Sequence, residues 1–169
     1  MLVIFSGLPA AGKTTIATRV ASRLSGLHLR IDSLEMALVR SGLIESQADL
    51  GSAGYEAAYA MAHDNLRIGL SVVADSVNPI KITRDAWRDV ALKLGIPYLE
   101  VEVICTDTAE HRRRVEHRVS NIDGLRLPTW QQVQDREYEL WDREHFIIDT
   151  SILGIDEAVD TLLKKMKAH

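Results

Sequence analysis

Near the start of the chain Gly7, Gly12, Lys13 and Thr14 fall in the order G-x-x-x-x-G-K-T within the stretch GLPAAGKT. Glycines at this spacing let the backbone turn tightly, so that successive N–H groups converge on an anion. The helix that begins near Lys13 adds its free donors and the positive end of its dipole. A lysine there reaches the β- and γ-phosphates of a nucleotide, and the threonine beside it ligates Mg2+. Pro9, Ala10 and Ala11 fill the variable positions without a charge that would repel phosphate. The nucleotide-contacting stretch is read as Gly7, Ala10, Ala11, Gly12, Lys13, Thr14 and Thr15, with Thr14 also on the metal. The competing reading is a small-residue turn carrying a surface lysine.

Phosphate binding alone fits a hydrolase, a motor, a switch or a kinase, so the reaction class rests on other residues. Asp32 ends the second apolar run, in RID, where a carboxylate can orient an acceptor hydroxyl and take its proton. It can equally cap a helix, since D-S-L-E forms a capping box with Glu35. Asp75 follows LSVVA and stands where a carboxylate supports Mg2+; a turn cap and a role in holding the acceptor are its alternatives. HRRRVEHR supplies arginines to balance a transferring phosphoryl group. Arg114 and Arg118 are four apart and would share a helix face, whereas Arg112 pairs with Glu116. Arg126, in GLRLP, can close over phosphates, while the competing reading of the arginine run is a solvated face. No N-K-x-D signature follows, which favours ATP over GTP.

The elements that must position these groups alternate. LVIFS, LHLRI, LSVVAD, PYLEVEVIC and HFIIDT read as apolar strands at 2–6, 27–31, 70–75, 97–105 and 145–150. Helical periodicity follows each, from Lys13, from Asp32, over 55–69, from Trp87 up to Gly95, over 108–119, and from Ile155 to Met166. A further helix is predicted from the capping box of Thr129 and Gln132 toward Trp141. The polar, glycine-punctuated piece 42–54 reads as a flexible connection. Strands apolar on both faces, alternating with helices, predict a parallel sheet covered on each side.

Composition sets bounds. A chain of 169 residues with 46% apolar content carries one domain with a sizeable core, and a net charge of −4 argues against general polyanion binding. The single cysteine, Cys105, reads as a buried thiol in VEVIC. His63, His111, His117 and His145 lack a zinc spacing, and Trp87 reads as core. No apolar run reaches membrane-spanning length and none has the basic prelude of a secretory signal, so the cytoplasm is the expected location.

GLPAAGKT, RID, VVADSVNPIKITRDAWRDVALKLG, EHRRRVEHR, LRLPTW and HFIIDTS together resemble the small P-loop kinases grouped with the zeta-toxin, chloramphenicol phosphotransferase, gluconate kinase and polynucleotide kinase relatives. That resemblance implies a three-layer α/β fold of the nucleoside-monophosphate-kinase type. It implies five parallel strands in order 2-3-1-4-5, one domain over 1–169, an acceptor-side helical segment over 34–69 and a short arginine-bearing lid over 112–128. It implies Asp32 as the residue that activates the acceptor hydroxyl, and Asp75 as the strand-3 acid. Lys13, Arg114 and Arg118 are then catalytic cations, and Arg84 with Trp87 marks the helix after strand 3. This lid is short and lacks zinc-binding cysteines, and no appended basic platform accompanies it, which disfavours a polynucleotide acceptor.

The reading is an ATP- and Mg2+-dependent phosphotransferase acting on a hydroxyl of a small molecule such as a sugar, a nucleoside or an antibiotic. The alternatives are an ATP-binding regulator or ATPase working on a macromolecular partner, and a polynucleotide 5'-hydroxyl kinase. Arg40, Glu45, Asp49, Tyr55, Glu56, Tyr59 and His63 stand in the acceptor-side segment, and its acids suit a polyhydroxyl or amine-bearing acceptor. Whether the chain acts as a monomer or a homodimer stays open.

Overall fold

A computed structural model describes residues 1–42 and 44–167. Five strands, β1 Leu2–Ser6, β2 Leu27–Arg30, β3 Val72–Asp75, β4 Tyr98–Ile104 and β5 Phe146–Asp149, form one sheet in the order β2-β3-β1-β4-β5. Every pairing is parallel, as the apolar runs predict; in the central strand Ile4 lies opposite Ala74 on one side and Glu100 on the other.

β1 is buried along its whole length, and its alternating side chains feed two separate cores. Val3 and Phe5 pack with Ile16, Ala17 and Val20 of α1 (Lys13–Leu24) and with Val159 and Leu162 of α7 (Ile155–Lys167). Leu2 and Ile4 pack on the other face with Ala58 and Ala62 of α3 (Ala53–Arg67) and Trp87 and Ala91 of α4 (Lys81–Leu94). The result is three layers, helices over both faces of a parallel sheet. Trp87 is core, as expected.

Several boundaries differ from the sequence expectation. α2 (Ile31–Arg40) is entered from Arg30, so Asp32 and Glu35 both lie inside the helix and the D-S-L-E capping box does not form. The connection 42–54 contains a 3-10 turn, Gln47–Leu50, with Leu50 buried; Leu43 lies outside the described residues, as do positions 168 and 169. α5 (Thr108–His117), capped by the Asp107 side chain, stops before Arg118, which is extended at φ −65° and ψ 134°. Arg114 and Arg118 therefore do not share a helix face. Cys105 is partly exposed just beyond β4 rather than buried.

The helix after Thr129 has the expected capping box but ends early, α6 spanning Trp130–Gln134. The chain from 135 to 145 is held by another partner. Arg84, 1% exposed, donates to the carbonyls of Asn78, Pro79, Glu139 and Leu140 and lies against the rings of Tyr138 and Trp141. Carbonyls captured by a guanidinium are not free to close helical turns, so tertiary bonding wins over local periodicity. No helix among the described residues is long and apolar enough to cross a membrane.

Candidate nucleotide and acceptor site

The loop between β1 and α1 is built by backbone conformations that its glycines allow. Gly7 sits at φ +132°, and a Cβ there would stand 2.1 Å from the Val103 carbonyl oxygen, so the loop leaves β1 pressed against β4. Gly12 caps α1 at φ +107°, and Asn78 braces the end of β1 by donating from Nδ2 to the Phe5 carbonyl at 2.9 Å. Successive N–H groups and the α1 N-terminus thus face the carboxyl ends of the strands, where open parallel sheets bind ligands.

Lys13 is buried in this loop, its ammonium donating to the Leu8 carbonyl at 2.8 Å. Burial pushes its pKa down to about 8, against the attraction of Asp75 and Asp32 and with the repulsion of Arg118 and Arg136. A cation this short of compensation is poised to be restored by phosphate. Asp75, buried at the end of β3, is the carboxylate whose charge counts most in that balance. Burial alone would raise its pKa, but the hydrogen bond from His28, the charge of Lys13 and the hydroxyl of Thr14 outweigh it and hold it below the ordinary carboxylate value. His28 Nε2 lies 3.3 Å from Asp75 Oδ2. An ionised carboxylate beside a threonine hydroxyl is a hard-oxygen donor pair that suits Mg2+.

A cleft of about 1350 Å3 opens over this loop and gathers Gly12, Lys13, Thr14, Thr15, Asp32, Asp75, Arg114, Arg118 and Arg126. Ala10 lines it as well; Gly7 and Ala11 lie behind it as loop framework. Asp32 is about 40% exposed on the cleft wall, 3.8 Å from Arg30, which also donates to Asn121 Oδ1 at 2.8 Å. Of the arginines that follow β4, Arg118 and Arg126 have no carboxylate partner among the described residues. Arg112 pairs with Glu116, as its spacing predicts.

Arg114 is placed differently. Its Nε donates to Glu110, and its two terminal nitrogens donate to Thr150 Oγ1 at 2.7 Å and to the Thr150 carbonyl at 3.1 Å. Thr150 Oγ1 in turn donates to the Ala11 carbonyl at 2.8 Å. Arg114 thus lines the cleft but spends its donors bracing the phosphate loop through the end of β5. Thr150, Arg30, His28 and Asn78 received no role from the sequence. The end-of-strand position in HFIIDTS was the available signal for Thr150. Arg136, a further guanidinium on the cleft wall without a carboxylate partner among the described residues, had none, because 130–141 reads as helix.

The AAA domain family model matches residues 2–140. The chain is 27% identical over 185 residues to a protein named "Probable adenylyl-sulfate kinase" from Aeropyrum pernix, covering 99% of this chain and 93% of that one. Among solved structures it resembles the Mycobacterium tuberculosis APS kinase CysC in complex with AMPPNP and APS, with a TM-score of 0.73 at 20% identity over 98% of this chain and 96% of that one. It also resembles a gluconokinase from Sinorhizobium meliloti, with a TM-score of 0.62 at 16% identity over 96% and 89% of the two chains. These two likenesses carry the fold, and the family match carries the relationship: the chain belongs to the AAA domain family.

Proposed function

We propose that the protein is an ATP-dependent phosphotransferase that moves the γ-phosphoryl group to a hydroxyl of a small molecule. The observation that carries this reading is the placement of Asp32. It is not consumed as a helix cap, stands on the wall of the phosphate cleft, and is close enough to Lys13 for its charge to be felt there. Relatives named adenylyl-sulfate kinase support a kinase of small molecules, and a fold neighbour solved with AMPPNP supports ATP as donor.

The loop N–H groups and Lys13 bind the donor's phosphates, and Lys13 neutralises charge on the γ-phosphoryl oxygens. Asp32, positioned by α2 and by Arg30, accepts the proton of the acceptor hydroxyl as it attacks. Arg118, Arg126 and Arg136 supply positive charge to the same cleft, where exclusion of water strengthens it and suppresses hydrolysis. Thr14 and Asp75 would hold Mg2+, which when bound neutralises phosphate charge. Arg114 acts at one remove, holding the loop through Thr150.

The test is Asp32→Asn. Loss of the base lowers kcat for phosphoryl transfer by about 100-fold or more while ATP binding is retained. Full transfer by the variant would remove Asp32 from the reaction.

A further inference from the structure

The two sides of the cleft carry opposite charge, and they come from opposite ends of the sheet. Arg118, Arg126 and Arg136 follow β4, whereas Asp32 and Glu35 project from α2, which follows the edge strand β2. Glu35 is the informative member. It is half-buried on the cleft wall, one turn along α2 from Asp32, and burial raises its pKa with a further contribution from the Asp32 charge. Gln47 donates to its Oε2 at 2.6 Å, yet among the described residues no lysine, arginine or histidine pairs with it. A carboxylate withdrawn from water without a cation opposes folding, and it persists where a ligand supplies the missing partner.

The surroundings hold this carboxylate in place. Gly54, at the start of α3, lies so close that a Cβ there would stand 2.5 Å from Glu35 Cγ, so the absence of a side chain at 54 makes room for Glu35. A second, independent feature lies in the same wall. The hydroxyl of Ser76, which is 6% exposed, has no close hydrogen-bond partner among the described residues, and the Tyr55 phenol is its polar neighbour. Arg30 is the cation of this half: it donates from Nη1 to Asn121 and stands 3.8 Å from Asp32, while its buried Nε has no hydrogen-bond partner among the described residues.

Resting on the kinase reading above, we infer that Glu35 selects the acceptor: a non-anionic polyhydroxyl compound that presents a hydroxyl or amine donor to Glu35 while Asp32 takes the reacting hydroxyl. Phosphate, sulfate or carboxylate in that half of the cleft meets two carboxylates, and the one cation of that wall among the described residues, Arg30, is paired with Asp32. The acceptor class therefore departs from that named for the adenylyl-sulfate kinase relatives.

The experiment measures transfer from labelled ATP with Mg2+ to three sets of compounds: uncharged sugars and nucleosides, amino sugars and aminoglycosides, and anions represented by adenylyl sulfate, gluconate and nucleoside monophosphates. The expected result is that the preferred acceptor belongs to the first or second set. A hydrogen bond to a charged group is worth about 10- to 100-fold in affinity, so Glu35→Gln raises KM for an amine acceptor by about that factor, and less for an uncharged one, with KM for ATP unchanged. Glu35→Arg shifts preference toward the anions. Preference of the wild type for an anion overturns the inference and leaves the kinase reading intact, as does an unchanged acceptor KM in a Glu35→Gln protein that is folded. Binding of AMPPNP with no transfer to any set overturns both.

Discussion

Thr150→Val tests whether Arg114 works through the loop rather than on the nucleotide. The substitution keeps the shape of the side chain and exchanges its hydroxyl for a methyl. It removes the donor to the Ala11 carbonyl and the acceptor for Arg114 Nη1. Ala11 is buried, so its carbonyl loses a partner that water does not readily replace, at a cost of about 1–3 kcal/mol. Arg114 is partly exposed and turns to solvent, so its share is small. A net loss of about 2–3 kcal/mol corresponds to a fall in Tm of about 4–12 °C for a domain of this size. The freed carbonyl also lets the loop tilt, and KM for ATP rises by about 10-fold as the N–H groups lose their common focus. Thr150→Ser keeps the hydroxyl and stays within about 1 kcal/mol of wild type. The assays are thermal melting and ATP titration of both variants, with a double-mutant cycle against Arg114→Leu. Direct phosphate contact by Arg114 predicts additive losses; the relay predicts a coupling energy of about 0.5–3 kcal/mol. A Thr150→Val protein that melts and binds ATP as wild type does would refute the relay.

Three further outcomes follow from the same geometry. Lys13 titrates near pH 8 in the free protein, and phosphate restores its proton, so ATP binding takes up protons and weakens as pH rises from about 8 to 9; calorimetry in buffers of different ionisation heat reads the uptake. Gly7→Ala places a Cβ against backbone and prevents stable folding, whereas Gly12→Ala meets only the Thr150 methyl at 3.1 Å and costs about 1–3 kcal/mol of backbone strain, which circular dichroism and melting separate. Glu35 has its pKa raised in the fold, so its contribution to stability is present below the unfolded value and is lost as pH rises through the folded one. Glu35→Gln therefore melts above wild type at pH 7, by less than about 1 kcal/mol after solvent screening, and the gap closes below about pH 4.

Much of the frame was legible because the features that set it are local. Strands buried on both faces must be apolar throughout, and that pattern yields the five strands and their order once the resemblance is admitted. The phosphate loop was legible because its glycines answer to conformations that a side chain obstructs. Residues whose role depends on distant partners were not. Arg114 and Arg118 have helical spacing, but α5 ends between them, and both still reach the cleft. Thr150 connects β5 to Ala11 across 139 positions, and no periodicity signals such a bond. Asp32 and Glu35 satisfy the pattern of a capping box, yet the chain enters α2 from Arg30 and leaves both acids for the cleft.

Arg84 shows how the two sides of the site are made to register. A guanidinium with 1% exposure and no carboxylate paired to it among the described residues is costly unless its donors are met, and here backbone carbonyls and two aromatic faces meet it. Two of those carbonyls, from Asn78 and Pro79, belong to the loop that leaves β3 just after Asp75 and Ser76. The other two, from Glu139 and Leu140, follow Arg136. Lys81 adds a backbone bond and an ammonium contact to Glu139 and Asp142, and Arg143 closes the set on Glu100 and Asp85. The loop that follows Asp75 and the segment that carries Arg136, which has no carboxylate partner among the described residues, are thus fixed to one buried cation. A bidentate fork can bind carbonyls from two chain segments at once, which a lysine ammonium does less well. The arginine of the R-D-A-W stretch is therefore a strut between the acidic and basic walls, and its place in the core follows from what it holds together.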